Sequence, residues 1–241
     1  MMLLHDIYTH LNALSPFDTQ EAWDNSGVLV GQMSDEVEQI CLSLDIDADL
    51  LEQVPPKTLI ITHHPLIFKG LKRFDPSLYP ASLLTTMIKK DISLIAMHTN
   101  FDQSHLNRYV SESVLGLVVE ACEGYYCYAK VDMDFETFAV HVKERLGLEN
   151  LRVVKSKEWI SRVAITTGSG GDLIGGVEAD CYLSGDLKYH QAIEAKENGL
   201  SLMDIGHYES ERYFGDALAL HLKNIPLQVI MSNSKNPFEY R

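Results

Sequence analysis

Three apolar runs in this chain each stop at a histidine, and two of them have carboxylates close behind. Residues 58–62, Thr-Leu-Ile-Ile-Thr, run into His63 and His64 and are halted by Pro65. Ser-Leu-Ile-Ala-Met at 93–97 runs into His98 and Asp102, and Ser-Leu-Met-Asp-Ile at 201–205 runs through Gly206 into His207, Glu209 and Glu211. Short continuous apolar runs bounded by turn residues read as strands buried on both faces. A chain with several of them, and helical spacing in between, is constrained to sheets covered by helices. In open α/β sheets the carboxyl ends of the strands are where sites are built, so the runs that specify the fold also nominate a site.

Helices are expected over residues 3–14, 81–90, 105–115, 135–146, 187–197 and 209–223. Strands are expected near 28, over 40–45, 58–62 and 93–97, from 125, and over 151–154, 162–167, 181–183, 200–205 and 227–230. Alternation at this spacing implies βαβ units and the α/β class, as two interlinked modules with mostly parallel sheets. The modules are placed at 1–124, carrying His63, His64 and Asp102, and at 125–241, carrying His207 and Glu211. The final helix and strand are expected to pack back on the first module. Because the donors come from both halves, a dinuclear metal site is expected in the cleft between them.

With 34 acidic against 20 basic residues the net charge is −14, which argues against a nucleic-acid partner, whose phosphates need clustered Lys and Arg. An anionic substrate would have to be received locally, by metals or backbone amides. Cys41, Cys122, Cys127 and Cys181 show no Cys-x-x-Cys spacing and lie in or beside apolar runs, so buried free thiols are expected. The first residues pass into an amphipathic helix without a signal-peptide pattern, and no apolar stretch of about 18 residues is present to span a bilayer. A cytoplasmic location is expected.

Each constellation has a plain structural alternative. Successive strand residues point to opposite faces, so His63 and His64 read as one core and one exposed histidine. Pro65 shifts that balance, because it drives its predecessor out of helical geometry at a strand exit, where both rings can turn into one cleft. His207 and Glu211 stand four apart and share a helical face if a helix begins near His207; the alternative is a surface ion pair. Asp102 could be a helix N-cap, and Asp45, ending the run Leu-Ser-Leu-Asp, could orient a ligand histidine or face solvent. In Ser184-Gly-Asp-Leu-Lys-Tyr-His190, helix capping accounts for Asp186, leaving Lys188 and His190 as acid–base candidates. The loop Thr167-Gly-Ser-Gly-Gly171 either makes an ordinary turn or offers amides of Gly168, Gly170 and Gly171 to a phosphate. Trp23-Asp-Asn-Ser-Gly27 reads as turn chemistry, with lining of the cleft as the weaker alternative.

The strings WDNSGVLVG, ITHHPLIF, HTNFD, SGDLKYH and DIGHYESER, in this order, resemble the GTP cyclohydrolase 1 type 2 homolog family, also called the NGG-interacting-factor-like dinuclear-metal proteins. The resemblance spans almost the whole chain. It implies two divalent ions per subunit held by His63, His64, Asp102, His207 and Glu211, with His98 near the metals and not a direct ligand. It also implies a toroidal homohexamer, a trimer of dimers, with sites facing an internal cavity. Longer members of the family insert a further domain between the halves, and this chain resembles the short kind.

Paired metals lower the pKa of a bound water and hold anionic substrates, so hydrolysis is the expected chemistry. The family name points to GTP, opened at its imidazole ring with release of formate to give dihydroneopterin triphosphate. His98 or His190 would serve as acid or base, and Lys188 or the 168–171 loop would take phosphate charge. Two alternatives stay open: a metallohydrolase of a phosphate ester or cyclic amide, and a non-catalytic metal-binding or regulatory hexamer. Zinc, manganese, iron and nickel all suit a mixed imidazole and carboxylate set.

Overall fold

A computed structural model describes residues 1–232 and 234–239, in two units that alternate along the sequence. The first takes Met1–Phe101 and Phe214–Pro237; the second takes Asp102–Tyr213 with Phe238 and Glu239. The chain begins with β1 (Met2–Leu3) and α1 (Leu4–Leu14), followed by β2 (Gly27–Val30), β3 (Glu36–Val37) and β4 (Gln39–Ser43). Next come α2 (Ala48–Gln53), β5 (Thr58–Thr62), α3 (Ala81–Lys89), β6 (Ser93–Ala96) and the short turn α4 (Thr99–Phe101). The second unit starts with wide, π-type turns at Asp102–Leu106 and Val110–Val114 around α5 (Asn107–Tyr109). It continues through β7 (Val118–Glu123), β8 (Tyr126–Asp134), α6 (Phe135–Leu146), β9 (Arg152–Val154) and β10 (Trp159–Ile165). After these come β11 (Cys181–Ser184), α7 (Tyr189–Glu197), β12 (Ser201–Asp204) and α8 (His207–Glu211). The chain then returns to the first unit with α9 (Phe214–Ala219) and β13 (Gln228–Met231).

In the first unit the strand order is β13-β4-β5-β6-β2. β13, β4, β5 and β6 run parallel, and β2 closes one edge antiparallel. β5 and β6 are buried at every position, as the lack of alternation in Thr-Leu-Ile-Ile-Thr requires. One face packs Cys41, Ile60 and Leu94 with Leu50 and Leu51 of α2 and Leu84 and Met87 of α3. The helices are set by local signals: Asp47 caps α2 by accepting the Leu50 amide, and Leu4, Ile7 and Leu11 form the fully buried stripe of α1.

In the second unit the order is β7-β8-β10-β11-β12-β9. Parallel pairing is confined to β10, β11 and β12, and antiparallel strands flank them on both sides. The sheet is therefore mixed, whereas a mostly parallel one was expected, because β7–β8 is a hairpin and β8 returns antiparallel to β10. α6 packs on β8 and β10 with Phe135, Phe138, Val142 and Leu146 buried, between an Asp134 cap and the left-handed Gly147.

The expected division at residue 124 differs from the observed one. β7 and the π-type turns belong with β8, so the second unit starts at Asp102. The helix expected over 209–223 is two pieces, α8 and α9. They are separated at Arg212 and Tyr213, where the Arg212 guanidinium bonds the Leu146 carbonyl and the chain changes unit. The expectation of four free thiols is also corrected. Cys122 and Cys127 face each other across the hairpin with Cα atoms 4.2 Å apart and form a disulfide, while Cys41 and Cys181 are free and buried. Cross-strand neighbours can bridge in this way without any Cys-x-x-Cys spacing. Among the described residues no helix is long and apolar enough to cross a membrane.

Candidate metal centre

In the first unit, strand register places the donors. Ser43, Thr62 and Ala96 are level across β4, β5 and β6, so the residues following them leave the sheet side by side. The ladder continues for one more step, with the Met97 amide donating to Thr62 O at 2.8 Å and the His64 amide to Leu44 O at 3.1 Å. His63 is fully buried, and its Nδ1 stands 2.9 Å from Met97 O. His64 Nδ1 stands 2.8 Å from Asp45 Oδ1, and His98 Nδ1 stands 2.7 Å from Asp24 Oδ1. A carbonyl or carboxylate oxygen only accepts, so in each ring Nδ1 carries the proton and Nε2 carries the lone pair that can bind a cation. Ligand atoms of His63, His64 and His98 lie within 4.8 Å of one another, close enough to face a common ion.

The second unit presents its own set of donors at the carboxyl ends of its parallel strands. α8 begins at His207, after β12 and Gly206, and its first turn brings His207 Nε2 to 3.0 Å from Glu211 Oε2. Two donors about 2.1 Å from one ion, at right angles, stand about 3 Å apart, so this spacing fits joint ligation. His207 Nδ1 is held by Asp186 Oδ2 at 2.7 Å. Glu211 is 3% exposed and presses against Gly168, where a Cβ would meet its carboxylate. Asp102 is buried as well, with Thr167 Oγ1 at 3.4 Å from its Oδ1 and that hydroxyl 2.8 Å from Asn107 Oδ1. It lies past the start of the helical stretch at Thr99 and so is not an N-cap.

All four rings thus carry an outer oxygen partner that fixes tautomer and orientation, the arrangement usual behind metal-ligating imidazoles. His63 and His64 in the first unit offer imidazole, and Asp102, His207 and Glu211 in the second offer imidazole and carboxylate, donor types suited to first-row divalent ions. The helix-cap account of Asp186 is overturned: α7 begins at Tyr189, after Asp186 has turned at φ 53° to meet His207. Asp45 shows both properties considered for it, orienting His64 while its side chain stays 55% exposed.

Other sequence-nominated residues have different neighbours. The Gly168 amide is spent on Ser210 Oγ at 2.9 Å and that of Gly170 on Ser184 Oγ at 2.8 Å, so this loop does not offer those amides to a phosphate. At Gly171 a Cβ would meet the Gln191 side chain, which makes the glycines packing residues. Lys188 and His190 are exposed at the start of α7, and among the described residues no hydrogen bond or ion pair joins either to Asp102, His207 or Glu211. Asp24 was passed over as turn chemistry. Its carboxylate is fully enclosed and bonds His98, 74 residues away, a pairing no local signal in Trp-Asp-Asn-Ser-Gly carries.

These features define a class: an α/β protein whose parallel strands end in imidazoles and carboxylates fit to hold divalent cations. The chain belongs to the Duf34/NIF3 (NGG1p interacting factor 3) family, whose model matches residues 2–237. It is 53% identical over 240 residues to a Campylobacter jejuni protein named GTP cyclohydrolase 1 type 2 homolog, covering 99% of this chain and 100% of that one. It is 39% identical over 243 residues to a Helicobacter pylori protein named GTP cyclohydrolase 1 type 2, covering 99% of each. Among solved structures it resembles the Staphylococcus aureus hypothetical protein SA1388, with a TM-score of 0.87, 27% identity and coverage of 100% and 99%. It also resembles reduced HcgD from Methanocaldococcus jannaschii, with a TM-score of 0.83, 28% identity and coverage of 97% and 98%.

Proposed function

We propose that the protein is a hydrolase dependent on two divalent ions per subunit, held by His63, His64, Asp102, His207 and Glu211, and that it acts as a GTP cyclohydrolase. The observation that carries this reading is the uniform anchoring of the imidazoles. Met97 O, Asp45 and Asp186 each occupy Nδ1 of a proposed ligand, leaving Nε2 for a cation. Ions bound there would acidify a water and take up the charge of a triphosphate. That role matters in a chain of net charge −14, whose glycine loop has its Gly168 and Gly170 amides committed elsewhere. The names of the Campylobacter and Helicobacter relatives favour GTP as the substrate, and the proposed reaction takes GTP and water to formate and dihydroneopterin triphosphate.

Within this reading the chain's own residues have separate tasks. Gly168 leaves room for Glu211, and Asp186 and Asp45 hold the half-exposed rings of His207 and His64. Family resemblance extends the proposal to a homohexamer built as a trimer of dimers, which light scattering on the purified chain would test.

The deciding experiment incubates metal-analysed protein with GTP and follows formate and the pterin product by mass, beside a His63→Ala/Glu211→Ala control. Product with the intact site only, and two equivalents of metal, supports the reading. Two bound metals with GTP returned unchanged, or merely dephosphorylated, would replace the assigned reaction by another hydrolysis or by a binding role. Absence of bound metal in protein supplied with zinc, manganese, iron and nickel would remove the metal reading itself.

A further inference from the structure

The Asp24 carboxylate accepts from five donors beside His98, and neither the family match nor the named relatives assign it a role. Its Oδ1 accepts from His98 Nδ1 at 2.7 Å and from the Asn25 amide at 2.7 Å. Its Oδ2 accepts from Thr99 Oγ1 at 2.5 Å, from the Thr99 amide at 3.1 Å and from Ser26 Oγ at 3.2 Å. An aspartate serving its own turn would spend its oxygens on neighbouring amides. Here three of five donors belong to His98 and Thr99, just after β6. The loop returns the tie, since Ser26 Oγ accepts the His98 amide at 3.1 Å. His98 is thus held at backbone and ring by one short segment, and the rings of Trp23 and Phe68 stand nearly perpendicular to its own with centroids 6.2 and 6.3 Å away.

The contrast with the other anchors is informative. Asp45 and Asp186 are each 55% exposed, whereas the Asp24 side chain is 0% exposed. A ligand histidine is also fixed by its metal bond, so a loosely held outer carboxylate suffices. A histidine that must face the ions without binding them has only its outer partner to hold it.

We infer that Asp24 is a positioning residue for His98: it imposes the Nδ1–H tautomer and turns the unprotonated Nε2 toward the His63 and His64 side of the group. There Nε2 accepts a hydrogen bond from a water or substrate held at the centre. A carboxylate partner of this kind sets tautomer and orientation without itself taking the proton. The consequence for turnover rests on the hydrolase reading above; the tautomer does not.

The test uses full-length protein labelled with nitrogen-15 at histidine, metal-free and zinc-loaded, with imidazole tautomers read from long-range proton–nitrogen correlations. Expected are an Nδ1–H signal for His98 in the wild type and a shift toward Nε2–H in Asp24→Asn, whose amide can donate to Nδ1. His98→Gln is expected to keep two equivalents of metal, and Asp24→Asn to lose about 100-fold in kcat with KM and metal content retained. A wild-type His98 in the Nε2–H form overturns the inference whether or not any variant folds. An unchanged tautomer in Asp24→Asn, or loss of a metal equivalent in His98→Gln, overturns it as well. If the wild type does not turn over GTP, the GTP cyclohydrolase reading fails while the tautomer result still decides the role of Asp24.

Discussion

Replacing Gly168 by alanine should disrupt the His207 and Glu211 pair without touching a donor. The backbone there has φ +65°, and an added Cβ would stand 2.8 Å from Glu211 Cδ and nearer still to Oε1. Real Cβ contacts of that kind do not occur, so the carboxylate must retreat by roughly 1 Å or the loop must open. Retreat costs Glu211 its 3.0 Å contact with His207 Nε2 in a side chain that is almost completely buried. Left-handed backbone at alanine costs about 1–2 kcal/mol, and displacing a buried side chain from its packed position about 1–3 kcal/mol more. The sum, about 2–5 kcal/mol, corresponds to a fall in Tm of order 10 °C for a chain of this size. Scanning calorimetry of the metal-free protein measures that term, and equilibrium dialysis should show metal affinity reduced by at least about 100-fold. Gly175→Ala is the matched control, because its Cβ would meet nothing within 4 Å and its φ is ordinary; a change within about 0.5 kcal/mol is expected. Metal binding and Tm in Gly168→Ala that match Gly175→Ala would refute the argument that this glycine exists to seat Glu211.

Asp45→Asn and Asp186→Asn remove outer partners that are half exposed, so each should weaken metal binding by about 10–100-fold with little change in Tm; unchanged affinity in both by calorimetric titration would count against ordered imidazoles as the basis of the site. Burial raises the pKa of Asp24, but hydrogen bonds from His98, Thr99 and the Asn25 amide outweigh it and hold the carboxyl well below the usual range. Its stabilisation is therefore complete above the unfolded value of about 4 and lost as pH falls below it, so in urea unfolding the gap between wild type and Asp24→Asn should be wide at pH 6 and narrower at pH 3. A gap of equal size at both pH values would contradict that sign. Burial pushes the Cys41 thiol up to about 11 and that of Cys181 higher still, so iodoacetamide at pH 8 should leave both unmodified in folded protein and alkylate both in urea. Modification of either at the rate of a free thiol would show that its strand opens locally.

Much of the first unit is legible in one dimension. Thr58–Thr62 is a strand with the expected ends, and the unbroken burial of β5 follows from a run with no polar alternation. Phe135–Leu146 likewise begins and ends as expected, because Asp134 and Gly147 are strong local punctuation. Misses cluster where a partner distant in sequence decides. β7 carries no clear pattern, with residues alternating irregularly between exposed and half-buried, and exists because β8 pairs with it. Once that hairpin goes unrecognised, the Cys122–Cys127 bond and the unit boundary at Asp102 are hidden too. The helix expected to run from 209 to 223 breaks because Arg212 is drawn to the Leu146 carbonyl, 66 residues away.

The same division runs through the candidate centre. His63, His64, His98, Asp102, His207 and Glu211 declare themselves in sequence because each follows an apolar run that must be a strand, and His207 with Glu211 keeps helical spacing. What holds those side chains could not be read there. Asp24 reaches His98 across 74 residues, Asp186 reaches His207 across 21, and Gly168 makes room for Glu211 from the end of another strand. Burial patterns and caps are set by neighbours within a few residues and so are written locally. Ring tautomers, carboxylate partners and the clearance beside a buried side chain depend on strand register and loop return, which exist only once the chain has folded.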